Sequence, residues 1–385
     1  MPESESQQVL ADAEEQRPGG DDSTVEPRFF ADPKRLIQTG VAVVLLVVAI
    51  YVLFPKIVGL EDVWGTIKGG NPFWIVMAVV FNVGAFAAYV ALFRGVVGEK
   101  VLHLEWRESY QITMAGLAAT RLFSAGGAGG ILLTYWALRK AGMERRQSVC
   151  RMVAFLVVLY SVYLLALVIF GILLRTGVLP GDAPLSTTVI PAALAGAAIV
   201  IVLLIALLPH DFERRIEGMT SGRLGRIAQR LATAPATLAQ GTRTAIAFIR
   251  HPSAGALAVG GGIGFWAANI AILWASFEAF DVDVPVAVLI QGFFLGMVAN
   301  LFPLAPGGVG AVDAGMIGAF VLFGLPHDEV FAAVLVYRAI AFWLPIPPGI
   351  VAFIGLRKTV QRWEDEGREV APETAPAGDP EAVAT

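Results

Sequence analysis

Two glycine-rich segments and three arginines carry the residues whose types could do chemistry. Gly126-Gly127-Ala128-Gly129 follows Arg121, and Gly307-Gly308-Val309-Gly310 follows Asn300 and Pro306 and precedes Asp313. Backbone N–H groups at such breaks can approach an anion closely, and a guanidinium fork matches a phosphate. Arg121, Arg151 and Arg338 are therefore the candidate phosphate partners. Asn300, Pro306 and the glycines Gly126, Gly127, Gly129, Gly307, Gly308 and Gly310 are candidates to frame that site. Asp313, the only acid inside the second segment, is the candidate to hold a proton or ion for coupling.

Each has a plainer reading, and the residues alone leave both open. Arg338 could pair with Asp313 or snorkel, Arg121 could be an interfacial cation, and Arg151 a surface anchor. Asp313 could simply cap a helix, Asn300 could satisfy a broken backbone, and Gly126–Gly130 could be a helix break alone. Catalytic chemistry finds little support. Asp281 and Asp283 form a short acidic pair in a turn, which is ordinarily a solvated loop. The four histidines are scattered without metal-ligand spacing, and Cys150 is the single cysteine, so no intrachain disulfide can form. No nucleotide loop or hydrolase motif occurs. The expectation is no enzyme, no metal, no cofactor and no nucleic acid.

The elements that must position these residues are apolar. Of 385 residues, 56% are hydrophobic and 16% charged, against about 25% charged in soluble domains, and the mean hydropathy is +0.68. This composition excludes a large soluble catalytic domain and indicates an all-α polytopic membrane protein. The net charge of −4 averages over unlike parts. Residues 1–35 carry nine acids and four bases, and residues 357–385 carry seven acids and four bases. The remainder holds 16 acids and 20 bases. Both acidic ends lack an apolar stripe and read as disordered tails.

A membrane helix needs about 20 apolar residues. Six stretches qualify: 36–54, which reads as a signal anchor, then 72–96, 151–174, 188–208, 254–280 and 329–356. Stretches 109–140 and 285–325 are interrupted by glycine or proline and read as hairpins. The connector 209–253 holds seven arginines and three acids, so it is expected on the cytoplasmic side, as amphipathic helices lying on an anionic leaflet. Basic residues flank the first hairpin and acids flank the second, which gives them opposite orientations. Both segments share the glycine pattern, a later glycine (Gly142, Gly324), and a V-x-R-x-[VI]-A-F pattern containing Arg151 or Arg338. The expectation is six full spans plus two broken-helix hairpins in an inverted repeat, about 72–175 and 254–356, with both termini cytoplasmic. Such repeats with discontinuous helices mark secondary transporters.

The run from Asn300 to Asp313, N-x-x-P-x-x-P-G-G-x-G-x-x-D, resembles the signature of the flippase-like family, the transmembrane region of lysylphosphatidylglycerol synthases and their stand-alone relatives. That signature ends in Glu where this chain has Asp313. The resemblance covers about residues 36–356. It implies a flippase-like domain without the aminoacyl-transferase domain of the synthases, which the stretch after Leu356 is too short to hold. Residues and resemblance together point to a transporter of an anionic or polyprenyl-linked lipid headgroup in the cytoplasmic membrane. The alternatives are a membrane-embedded enzyme, or a scaffold for an envelope-biosynthesis partner.

Overall fold

The structure is a computed structural model, and it describes residues 69–98, 102–122, 128–207, 223–301 and 310–368. The expected span 36–54 lies outside these residues, as do Gly126, Gly127, Pro306, Gly307 and Gly308. Among the described residues the regular elements are all helical. Five helices are long and apolar enough to cross a membrane: Pro72–Val97, Arg145–Arg175, Val189–Ala206, Gly255–Glu278 and His327–Asp365.

Helix α1 (Pro72–Val97) and helix α7 (Pro252–Glu278) form the most extensive helix pair. Each starts on a proline, whose missing N–H costs nothing at a first turn. Asn71 caps α1 by accepting from the Phe73 N–H at 3.0 Å. The two helices run antiparallel, since the Asn71 N–H donates to the Ala279 carbonyl at 2.8 Å. Gly95 and Gly261 let the backbones meet; a Cβ on either would strike the partner helix at Ala258 or Leu92. Small residues serve this purpose where lipid removes the hydrophobic drive between helices.

The two interrupted stretches each form a pair of short helices, α2 (Trp106–Leu122) with α3 (Ala128–Lys140), and α8 (Val286–Met297) with α9 (Ala311–Leu322). None of the four is long enough to cross a bilayer alone. Each pair packs across the chain: α2 lies against the C-terminal helix α11 (Ile346–Asp365), and α8 against α4 (Arg145–Arg175). Helix α5 (Val189–Ala206) presents Leu194, Ile201 and Leu204 outward.

Two expectations are revised. In the basic connector the described residues form helix α6 (Arg223–Arg250), which packs on α4 and α5. Its small residues Ala239, Gly241, Thr242 and Ala245 permit that approach, and Arg243 Nε donates to the Ala206 carbonyl at the end of α5 (2.9 Å). The last span is not one helix. It consists of α10 (His327–Arg338), a π-helical turn Ala339–Trp343, and α11. Pro345 and Pro347 lack N–H groups, so carbonyls four and five residues back lose their intrahelical donors. Finally, α11 runs past Leu356 to Asp365, into the stretch read as a tail, because Val360 and Trp363 are buried against α2 and α3.

Two apolar clusters hold the molecule together. The larger joins α1 and α4 through α10, with an aromatic network of Tyr163, Trp266, Phe293, Phe294 and Tyr337. The smaller joins α2, α3 and α11 to the end of α1, with Phe93 and Val97 beside Ile112, Leu133, Trp136, Leu356 and Trp363.

Candidate functional site at the break in the last span

The break brings Arg121, Asp313 and Arg338 to one place. Arg338 is the last residue of α10 and is 4% exposed. Its Nε lies 2.6 Å from Asp313 Oδ1. Asp313 stands in the first turn of α9, where its Oδ2 accepts the Gly310 N–H at 2.8 Å. A carboxylate there is favoured by the exposed N–H groups and by the helix dipole. Gly310 has φ 80°, in the left-handed region that suits glycine. Capping and ion pairing, two of the plainer readings, are thus both realised by Asp313.

Arg121, at the end of α2, donates through Nη1 to the Phe342 carbonyl (2.8 Å) and through Nη2 to the Ala341 carbonyl (3.0 Å). Buried Asn82 of α1 donates to the neighbouring Ile340 carbonyl at 3.0 Å. Three consecutive carbonyls at the π turn are therefore satisfied by side chains from the first half of the chain. The Phe342 ring lies beneath both guanidinium groups, 4.4 Å from Arg338 Cζ and 5.2 Å from Arg121 Cζ, within cation–π range. Arg338 is paired with the Asp313 carboxylate, whereas Arg121 is held by backbone carbonyls. Beside them the Trp343 indole N–H is buried with no hydrogen-bond partner among the described residues.

The other candidates lie elsewhere. Arg151, in the second turn of α4, donates to the Val96 carbonyl at the end of α1 (2.9 Å) and sits over Phe248. The shared V-x-R-x-[VI]-A-F pattern therefore puts Arg151 near a helix start and Arg338 at a helix end, so the two arginines are not equivalent by position. Asn300 is exposed in the short turn Val298–Leu301, with its amide 3.6 Å from Met297 Sδ. Gly129 lies in the first turn of α3. Asn82, Phe342 and Trp343 were not singled out from sequence; the closely spaced Pro345, Pro347 and Pro348 are the signal that could have marked the break. Among the described residues no three His, Cys, Asp or Glu side chains gather as a metal site requires.

A second polar cluster ties α2 to α11. Buried Glu108 accepts from Trp363 Nε1 (3.1 Å) and Arg362 Nη2 (3.3 Å), and Thr359 Oγ1 donates to Gln111 Oε1 (2.8 Å). At the same end Lys140 pairs with Glu364 at 2.8 Å.

Comparison with known proteins fits this architecture. The lysylphosphatidylglycerol synthase TM region matches residues 37–349. A UPF0104 membrane protein of Methanothermobacter thermautotrophicus is 24% identical over 328 residues, which is 80% of this chain and 94% of that protein. A shorter match, also to a UPF0104 membrane protein of that organism, is 32% identical over 92 residues, 24% of this chain and 26% of the relative. Phosphatidylglycerol lysyltransferase of Staphylococcus haemolyticus is 28% identical over 89 residues, 23% of this chain but only 10% of that enzyme. With several apolar helices and a family match over most of its length, this multi-pass membrane protein belongs to the family of the lysylphosphatidylglycerol synthase TM region.

Proposed function

We propose that the protein moves an anionic lipid headgroup across the cytoplasmic membrane, and that Arg121 and Arg338 at the break in the last span engage it. The observation that carries this reading is the charge at the break: two guanidinium groups gathered on the Phe342 ring, Arg338 paired with Asp313, inside an apolar bundle. Charges at membrane depth are expensive and mark substrate or ion paths. The unpartnered Trp343 N–H offers a donor that an anionic oxygen would complete. The name of the staphylococcal relative, phosphatidylglycerol lysyltransferase, associates that protein with an anionic phospholipid.

In this reading the first and second halves, about 72–175 and 254–356 within a domain of 36–356, act as inverted repeats. Support comes from the antiparallel α1–α7 pair and from the hairpin after each of them. Gly142 and Gly324, with φ 97° and 87°, follow the two hairpins. Both termini and the basic connector 209–253 lie on the cytoplasmic side, as the arginine distribution suggests. Gly129, Gly310 and Asn300 frame the approach, Arg151 sits toward the cytoplasmic boundary, and the remaining candidates Gly126, Gly127, Pro306, Gly307 and Gly308 lie outside the described residues. Asp313 is the coupling group.

The test is transport in proteoliposomes with fluorescent phosphatidylglycerol and, as a control, fluorescent phosphatidylcholine. Wild type is expected to move the anionic probe faster, and Arg338→Ala and Arg121→Ala to abolish that difference while remaining monodisperse. Transport by both variants at the wild-type rate would overturn the site.

A further inference from the structure

The last span belongs to two packing units, and the boundary falls at its break. Helix α10 is built into the larger apolar cluster: Val334 and Tyr337 pack there with Phe293 and Phe320, and Arg338 is paired with Asp313 of α9. Helix α11 is built into the smaller cluster, where Phe353, Leu356 and Trp363 pack with Ile112 and Leu133. Glu108, Gln111 and Lys140 hold α11 to α2 and α3, and the end of α1 belongs to both units, since Phe93 and Val97 pack in the smaller cluster and Arg94 Nη1 donates to the Leu104 carbonyl at 2.6 Å. Between the two units the chain passes through a π turn and Pro345. Departures of this kind from the α-helix are where helices bend.

We propose that residues 339–345 are a hinge, and that α2, α3 and α11 move about it as one body against α4–α10 and most of α1, with the end of α1, which packs in both clusters, as the second joint. The moving unit therefore cuts across the two sequence repeats instead of separating them. Asn82 and Arg121 are the pins of this hinge. Each donates to carbonyls of the turn, Asn82 from the larger body and Arg121 from the smaller. Asn82 is accordingly a positioning residue that restrains the turn without belonging to the guanidinium cluster. Two bodies joined by a short segment that absorbs the dihedral change is the usual form of hinge motion.

This inference rests on the transport reading only for what the motion accomplishes, and its test reads the motion itself. Spin labels are placed by Cys substitution in a Cys150→Ala background, on full-length protein in phosphatidylcholine nanodiscs with and without phosphatidylglycerol. The pair Asp328→Cys with Lys358→Cys crosses the hinge. Leu132→Cys with Lys358→Cys stays within the smaller body, and Val286→Cys with Asp328→Cys within the larger. Pulsed-EPR distances across the hinge are expected to split into two populations on Asn82→Leu or Arg121→Ala, while both within-body pairs remain single and narrow. If neither variant folds, the labelled parent protein is expected to show the widest distribution for the cross-hinge pair. Spreading of the Leu132–Lys358 pair to match the cross-hinge pair, or equally narrow distances for all three, would overturn the hinge. A hinge that opens in a protein that moves no fluorescent lipid would overturn the transport reading alone.

Discussion

The two hairpins have the same outline and different glue. The second, α8–α9, is held by aromatic edges: Phe294 against Tyr163 and Trp266, Phe293 against Tyr337, and Phe320 against Phe277. It makes one buried ion pair, between Asp313 and Arg338. The first, α2–α3, buries Glu108, Ser109, Gln111 and Thr113 on a single helix and adds hydrogen bonds to its apolar packing on α11. Dispersion contacts between rings are numerous and fade gradually with displacement, whereas a hydrogen bond is lost within a fraction of an ångström and can re-form elsewhere. In the hinge proposed above, the second hairpin belongs to the fixed wall and the first moves together with α11.

The most severe way to break this contrast is Asp313→Asn. It leaves the Arg338 guanidinium buried without its carboxylate, and removal of one member of a buried pair costs about 3–5 kcal/mol. The expected outcome is a large fall in the thermal unfolding midpoint followed by size-exclusion chromatography, with partial recovery in Asp313→Asn combined with Arg338→Gln. Next is Phe294→Ala, which removes a ring shared among three aromatic neighbours. Its expected cost is about 3 kcal/mol by analogy with core truncations, seen as a lower midpoint and faster amide exchange across α8. The smallest effect belongs to the first hairpin. Glu108→Gln keeps an acceptor for Trp363 but loses the charge toward Arg362, for about 1–2 kcal/mol. Its signature is local: faster amide exchange in α2 and the end of α11, with α8 and α9 unchanged. Equal losses in both hairpins would remove the distinction between them.

Much of this arrangement could be read from the chain in advance, and the parts that could not have physical causes. The span helices from α1 onward follow from uninterrupted apolar length, and both hairpins from glycine and proline inside apolar runs. Arg338 and Asp313 stood out as charges within such runs, and their pairing was one of two open readings. The partners of Arg121 were out of reach, because the Ala341 and Phe342 carbonyls become acceptors only once prolines have broken a helix more than 200 residues away. The C-terminal limit of the folded part was misjudged for a similar reason. Residues 357–365 have the composition of a tail, and only the socket provided by Glu108 makes Trp363 a core residue. The shared arginine pattern compares letters, while position along a helix decides which carbonyl or carboxylate an arginine can reach.

The Glu108–Trp363 contact gives the chain end a mechanical meaning. Because α11 is clasped to α2 at its far end, a load attached after Arg368 acts directly on the first hairpin and, through α11, on the turn at 339–345. On the hinge reading, the end of α11 is thus a handle on the moving body. A bulky fusion or a binding partner at that end would shift the balance of states from outside the membrane without touching the charged cluster within it.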